Sequence, residues 1–203
     1  MSIPIELIKE LRAATGAGVL DCRAALEANE GDVQKAIVYL REIGLAAATK
    51  KEDRGANEGI VEAYGHPGSR VGVLVEVNCE TDFVARTEQF RSLAHDMALH
   101  VAAMSPLYMT PEDVPAAELE QKKAAYRQQA LQEGKPEKIV ERIVEGRLKK
   151  FYAETCLMEQ PFVRDDSVLI KDLVKQKIAE LKENIVIRRF ARYELGQHAD
   201  ESG

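Results

Sequence analysis

The sequence predicts a mixed α+β fold, in which short helices come first and a β-hairpin and further helices follow. Three observations support this class. Apolar residues recur every three or four positions in several segments, valines alternate along another segment, and clusters rich in glycine and proline separate them. With 203 residues, 45% of them hydrophobic, the chain can form one domain or two small ones with an ordinary core.

The first 45 residues predict three short helices. Residues 4–14 form the first, which ends at the glycines of "TGAG", because glycine tolerates the positive φ found at helix ends. Residues 19–28 form the second, and Asp32 can cap a third. Helices this short share only a small core, so we expect this group to present a surface rather than a catalytic cleft. Apolar residues recur at helical spacing in the first helix (Ile5, Ile8 and Leu11) and share one side of the second (Cys22, Ala25 and Leu26). In the third helix, Val33, Ala36, Ile37 and Leu40 are predicted to face inward.

A charged segment, residues 50–58, is expected to separate these helices from the rest of the chain. The turn cluster "GHPGS" then lies between two segments of strand character, residues 60–64 and 70–79, which is typical of a hairpin. Apolar residues occupy every second position of the second segment, which predicts a strand with one buried face. They are Val71, Val73, Val75, Val77 and Cys79.

The remainder of the chain predicts four more helices and one strand. The helices cover residues 84–104, 118–133, 138–153 and 169–181, and residues 183–196 have the β-branched and aromatic content of a strand. Residues 159–167 are expected to form a loop. The polar tail, residues 197–203, is expected to be frayed.

The net charge and the cysteines argue against several functions. The 28 Lys and Arg residues against 34 Asp and Glu residues give a net charge of −6, which disfavours a surface that binds nucleic acid directly. Cys22, Cys79 and Cys156 lie far apart without Cys-x-x-Cys spacing, so we expect three buried thiols in a reducing compartment. The sequence has no apolar signal core and no run long enough to span a membrane, which indicates a cytoplasmic protein without a membrane partner.

Neither a nucleotide-binding nor a metal-binding motif is visible. His95 and His100 would lie about 140° apart around a helix, so they would not converge on a metal ion, and solvated or packing roles are expected. Three arginines near the C-terminus allow either an anion-binding patch or a solvated face of the sheet. They are Arg188, Arg189 and Arg192.

The segment "TDFV", residues 81–84, places an aromatic side chain beside a carboxylate just after the second strand. Thr81 or Asp82 could cap the next helix while Phe83 folds into the core. Alternatively, Phe83 protrudes from a rigid junction of strand and helix, where binding residues often lie, and acts as an aromatic anchor. The pattern alone leaves both interpretations open.

Three separated segments resemble a known family. "EVNCETDFVAR" (residues 76–86) resembles the signature of the elongation factor Ts family, the nucleotide exchange factors of elongation factor Tu. "LRAATGAGVLDCRAAL" (residues 11–26) resembles the N-terminal signature of this family, and "EQPFVRDD" and "NIVIRRFARYELG" resemble its C-terminal part. The match runs in order over about residues 7–196.

The resemblance implies an α+β fold with an ordered series of parts. A ubiquitin-associated-like three-helix domain (residues 1–49) would precede the charged linker (residues 50–58). An α+β core (residues 59–196), with a small antiparallel sheet packed by helices, would bind the partner and support dimerisation. A flexible tail (residues 197–203) would follow.

The resemblance also implies a function. The chain would bind elongation factor Tu in its GDP-bound and nucleotide-free forms and promote GDP release by displacing the Mg²⁺ ion, so that GTP can reload. The segment that enters the GTPase domain would be Thr81, Asp82, Phe83 and Val84, with Phe83 as a wedge between helices. N-terminal docking would use Arg12, Val19, Leu20 and Arg23. The chain would be no enzyme and would need no cofactor, metal ion or catalytic residue, because the partner holds the nucleotide and its metal.

Some positions depart from the commoner family pattern. Val19 and Leu20 replace a usual methionine pair, Arg23 replaces a lysine, and Ala24 stands where another basic residue is common. Longer members also insert a helical hairpin between the two halves of the core, and this chain is short in that region. The short form is therefore a candidate for homodimerisation, in which two chains supply the contacts of one long chain.

Two other classes of function are alternatives. A ubiquitin-associated-type adaptor would bind helices or nascent chains through the first 45 residues. An enzyme would use Asp82, Cys79 or a histidine, but no spacing of a nucleophile and a base supports it.

Overall fold

The structure is a computed structural model that describes residues 3–197, apart from the side chain of Leu45. Within this range the helices are α1 (Ile5–Thr15), α2 (Val19–Ala28), α3 (Val33–Thr49), α4 (Asp82–Ala85), α5 (Glu88–Met104), α6 (Ala116–Gln132), α7 (Glu137–Thr155) and α8 (Ile170–Leu181). The strands are β1 (Glu58–Gly65), β2 (Val71–Cys79), β3 (Pro161–Phe162), β4 (Asp165–Leu169) and β5 (Ile185–Glu194). The predicted α+β class is confirmed. Of the predicted tail, residues 198–203 lie outside the described range.

The main sheet has three strands in the order β1-β2-β5. The short turn at 66–70 joins β1 to β2, and the His66 N–H donates to the Val71 carbonyl at 2.9 Å. At one end of β2, the Leu195 N–H donates to the Arg70 carbonyl at 2.8 Å. Further along, Arg189 Nε contacts Glu76 Oε2 at 2.7 Å, so β5 runs antiparallel to β2. The predicted hairpin and the predicted C-terminal strand are both confirmed.

The chain divides into two compact units. The first comprises Met1–Ile60, Val77–Arg91 and Val174–Ile187, and the second comprises Val61–Glu76, Ser92–Leu173 and Arg188–Gly203. The domain boundaries predicted from the sequence stay a prediction.

Helices α1, α2 and α3 of the first unit share a small core, as predicted. Its fully buried residues are Leu11, Cys22, Ala25, Leu26 and Ala36. Gly16 ends α1 with a φ of 68° and donates its N–H to the Arg12 carbonyl at 2.8 Å. The Asp32 side chain accepts from the Lys35 N–H at 3.0 Å and caps α3. Ile5, which shares the helical spacing of Ile8 and Leu11, is 59% exposed as the first residue of α1.

Gly59 allows β1 to approach β2 unusually closely. Its φ is 147°, and a Cβ added there would lie 2.1 Å from the Val77 carbonyl oxygen. The Asn78 side-chain amide donates to the Glu58 carbonyl at 3.2 Å in the same region. Only glycine fits this position without displacing the backbone of β2.

In the second unit, α6 and α7 pack against each other as a helical hairpin. Its buried residues are Ala130, Val140, Val144 and Leu148. Ile139, which the pattern predicted to face inward, is 37% exposed near the start of α7.

His100 lies fully buried in the second unit and serves packing, as expected. Its Nε2 lies 3.0 Å from Gln160 Oε1, and its Nδ1 accepts from the Val163 N–H at 3.2 Å. Nδ1 therefore carries no proton, and Nε2 donates to Gln160. Burial lowers the pKa of His100, although the bond to Gln160 opposes the shift.

Two predicted elements were wrong in detail. The helix predicted over residues 84–104 is interrupted, because the Thr87 hydroxyl accepts from the Phe90 N–H at 3.3 Å and donates to the Val84 carbonyl at 2.8 Å. A side chain that bonds the backbone in this way starts a new helix. Residues 159–167, predicted as a loop, include β3 and the start of β4, which pair antiparallel. Asp165 accepts from the Ser167 N–H at 3.1 Å near the turn, a bond that the sequence pattern did not reveal.

Candidate functional site

The turn that follows β2 presents Phe83 to solvent. Phe83 is 77% exposed, whereas the next two residues, Val84 and Ala85, are only 7% and 5% exposed. Of the two interpretations of "TDFV", the one in which Phe83 folds into the core is therefore wrong. The ring stands on a single helical turn, α4, whose other side is buried.

Thr81 caps this turn, and of the two residues that the sequence offered as caps, Thr81 and Asp82, it is the one used. Its backbone is extended, and its hydroxyl accepts from the Val84 N–H at 3.4 Å. The buried thiol of Cys79, the last residue of β2, lies 3.1 Å from the Thr81 carbonyl and donates to it. Burial, reinforced by the nearby Glu183 carboxylate, raises the pKa of Cys79 to about 11, so the thiol keeps its proton at neutral pH.

Asp82 lies beside Phe83 on the exposed side of the turn. Its Oδ2 contacts Arg86 Nη2 at 2.7 Å, with the two side chains 62% and 75% exposed. Exposed ion pairs of this kind add little to stability. The carboxylate of Asp82 is therefore free to exchange Arg86 for a group on a partner at small cost.

Glu183 and Asn184 contact this turn, and the sequence analysis did not identify either residue as part of the site. Glu183 Oε2 accepts from the backbone N–H groups of Glu80 at 3.1 Å and Thr81 at 3.0 Å, and its Oε1 accepts from the Thr81 hydroxyl at 2.6 Å. Glu183 and Thr81 are 102 positions apart in the chain. No local signal links residues so distant; only the pairing of β5 with β2 brings them together.

The residues predicted for N-terminal docking lie on α1 and α2, also in the first unit. Val19 and Leu20, at the start of α2, are 50% and 79% exposed. Arg12 and Arg23 are exposed as well, and Arg23 pairs with Glu27 at 3.0 Å. Two consecutive exposed apolar residues at the start of a helix are suited to contact another protein.

The site is a protrusion rather than a cavity. A pocket of about 540 Å³ in the first unit is lined by residues of α2, α3 and α8, but not by residues 81–84. Among residues 3–197, no group of three His, Cys, Asp or Glu side chains is placed to hold a metal ion. Over the same range, no helix is both long enough and apolar enough to cross a membrane.

Comparison with known proteins agrees with the motifs at this site. The family model described as elongation factor TS matches residues 30–197. Elongation factor Ts of Herpetosiphon aurantiacus is 58% identical over 198 residues, which cover 98% of this chain and 100% of that protein. Elongation factor Ts of Caldanaerobacter subterraneus subsp. tengcongensis is 57% identical over 195 residues, which cover 96% of this chain and 98% of that protein.

The chain belongs to the elongation factor Ts family. The resemblance of its motifs is thereby confirmed, and the chain is a translation elongation factor that acts in protein biosynthesis. The Herpetosiphon member of the family is matched along its whole length.

Proposed function

We propose that this chain binds elongation factor Tu in its GDP-bound and nucleotide-free forms and promotes GDP release by displacing the Mg²⁺ ion, so that GTP can reload. The observation that carries this proposal is the exposed ring of Phe83 on an anchored turn. Membership of the elongation factor Ts family supports the choice of partner. The chain contributes binding and no chemistry of its own, and it acts in the cytoplasm.

An exchange factor works by binding the empty GTPase more tightly than the loaded one, because only that difference shifts the equilibrium. By linkage, GDP must weaken the grip of the factor by the same ratio. In the segment 81–84, the exposed residues compete with the Mg²⁺ site, and the buried Val84 holds the turn in place. Arg12, Val19, Leu20 and Arg23 supply a separate docking contact that is stronger in the nucleotide-free state.

A comparison of free energies indicates that Phe83 does not act alone. Accelerating release about a thousandfold takes on the order of 4 kcal/mol of differential stabilisation. Full burial of one phenylalanine is worth about 1.5–3 kcal/mol. Asp82 and the docking residues therefore make up the difference.

The direct test loads elongation factor Tu with a fluorescent GDP, adds this protein together with excess unlabelled GDP, and follows release by stopped flow. We expect release to accelerate with protein concentration and to saturate. Excess Mg²⁺ should slow the accelerated release, since the ion competes with displacement. Release at the spontaneous rate would exclude the proposal.

The adaptor alternative predicts a different effect of substituting Phe83. An adaptor that works through α1–α3 would be indifferent to residues 81–84, which lie outside those helices. A Phe83→Ala variant that keeps all activity would therefore favour the adaptor over the exchange factor.

We also propose that the chain forms a homodimer through the open face of its main sheet. Each strand contributes one exposed apolar side chain in the second unit: Val61 is 63%, Leu74 is 48% and Tyr193 is 74% exposed. The register set by the bonds described for β1, β2 and β5 places the three on one face, opposite the buried Val73 and Val75. Apolar patches of this kind mark protein interfaces. Light scattering should give twice the chain mass for the wild type and a monomer for Leu74→Glu.

A further inference from the structure

One carboxylate holds the start of the turn that carries Phe83. Glu183 accepts three hydrogen bonds, and all three donors belong to Glu80 and Thr81, the two residues before Asp82. Hydrogen bonds to an ionised carboxylate are about twice as strong as neutral ones. The contact therefore fixes the direction in which the chain leaves β2.

A second hydrogen bond runs in the opposite direction, with the Glu80 side chain as the acceptor. Glu80 Oε1 accepts from the Asn184 N–H at 2.6 Å and lies 3.6 Å from Arg54 Nη1. The side-chain amide of Asn184, which is 1% exposed, donates to the carbonyls of Arg54 at 2.7 Å and Glu52 at 3.1 Å. Residues 80–81 and residues 183–184 thus hold each other in both directions.

The backbone at Lys182 sets the position of Glu183. Lys182 follows α8 with a φ of 62°, in the left-handed region, and donates its N–H to the Ile178 carbonyl at 2.9 Å. A long side chain adopts this conformation only where its surroundings enforce it. Glu183 is therefore placed by the end of a helix and the start of β5, not by a free loop.

Helix α4 has four residues and cannot hold its own conformation, since the first turn of a helix is unfavourable without outside contacts. Its supports are the buried side chains of Val84 and Ala85 on one side and the cap by Thr81 at its start. Glu183 fixes the hydroxyl of Thr81, which in turn accepts from Val84. Without Glu183, burial would still attach the turn, but its orientation would no longer be set.

We propose that Glu183 is a positioning residue for nucleotide exchange: its three hydrogen bonds to Glu80 and Thr81 set the angle at which Phe83 meets the GTPase. The inference rests on the proposed function, because it concerns how that ring is presented. Glu183 itself acts only through the turn.

The test measures GDP release from elongation factor Tu at a series of factor concentrations, which separates the maximal rate from the half-saturating concentration. We expect Glu183→Ala to lower the maximal rate about tenfold while the half-saturating concentration changes less than about threefold. Glu183→Gln should recover most of the rate, because its carbonyl oxygen can accept both N–H groups while its amide donates to the Thr81 hydroxyl. Glu180→Ala is the matched control: this carboxylate lies on α8, pairs with Lys177 at 2.6 Å, and should leave the rate unchanged.

A double variant shows whether Glu183 acts through Phe83. In the Phe83→Ala background, removal of Glu183 should cause little further loss, since the group being positioned is already absent. A full additional tenfold loss would overturn the inference. So would a wild-type maximal rate in Glu183→Ala or an equal loss in Glu183→Ala and Glu183→Gln. If Phe83→Ala alone exchanges at the wild-type rate, the proposed function fails instead, so the two failures are distinct.

Discussion

Phe83 and Val84 are consecutive residues in opposite environments, with 77% of the first side chain and 7% of the second exposed to solvent. The buried neighbour anchors the turn, and the exposed ring projects from it. This relationship separates the roles of the two residues. Substitution of Phe83 should affect binding to a partner, whereas substitution of Val84 should affect the fold.

We expect Phe83→Ala to slow GDP release from elongation factor Tu at least tenfold, measured by stopped flow with fluorescent GDP. The thermal unfolding midpoint should stay near the wild-type value, because an exposed side chain contributes little to the core. Leu131→Ala, which shortens another apolar side chain that is 50% exposed, serves as the control and should exchange normally. A wild-type rate for Phe83→Ala would remove this residue from the mechanism.

Asp82→Ala should also impair exchange, with a milder loss of complex formation in pull-downs. The ion pair with Arg86 is exposed at both ends, so its loss should change the free energy of unfolding by less than about 1 kcal/mol. Arg86→Ala is the control, since it breaks the same pair and leaves the carboxylate in place. If Asp82→Ala abolishes most complex formation while GDP release from the remaining complex stays fast, Asp82 contributes to binding and not to nucleotide release.

Gly59→Ala should lower the free energy of unfolding by about 2 kcal/mol or more, because the added Cβ would lie 2.1 Å from the Val77 carbonyl oxygen. Gly72→Ala is the matched control in the neighbouring strand. A Cβ at Gly72 meets nothing within 4 Å, and we expect a change below about 0.5 kcal/mol. Urea denaturation followed by circular dichroism compares the two variants. Equal stability would mean that β1 does not approach β2 as closely as described.

The burial of His100 predicts that stability falls in mild acid. Its folded pKa lies below the usual value, so below about pH 6.5 the unfolded chain binds a proton that the folded chain does not. The stabilisation is complete above that pH and decreases as the pH falls, by up to about 1.4 kcal/mol per pH unit. Urea denaturation at pH 7 and pH 5.5 measures the decrease.

A substitution assigns this pH dependence to His100. His100→Gln should lower stability at both pH values and flatten its decrease between them. His66→Gln removes an exposed histidine and should keep the wild-type decrease. An undiminished decrease in His100→Gln would assign the effect to other groups.

Much of the fold could be predicted because local signals determine it. Gly16 and Asp32 mark helix ends by their own chemistry, and alternating valines define β2. The interruption at Thr87 could not be predicted, since both its neighbours have helical patterns and the decision comes from one hydroxyl group. Ile5 and Ile139 fit the periodicity of their helices and are nonetheless exposed, because other residues define the buried face of each helix, such as Leu11 in α1 and Val140 in α7.

The candidate site was partly predictable. The segment containing Phe83 stands out through its composition, but its exposure does not follow from the pattern, which also allowed a buried ring. Glu183 gave no signal, because its function comes from a position reached only after β5 pairs with β2. The motif thus identified the residues that we propose to touch a partner and missed those that support them.

The turn bearing Phe83 starts from β2, which has a hydrogen-bonded strand on each side. A force that the partner exerts on the ring is therefore resisted by two hydrogen-bonded neighbouring strands and not by a free loop. During exchange we therefore expect the GTPase to deform more than the turn that carries Phe83. Because the turn keeps its conformation when the complex dissociates, it can bind the next GTPase molecule without refolding.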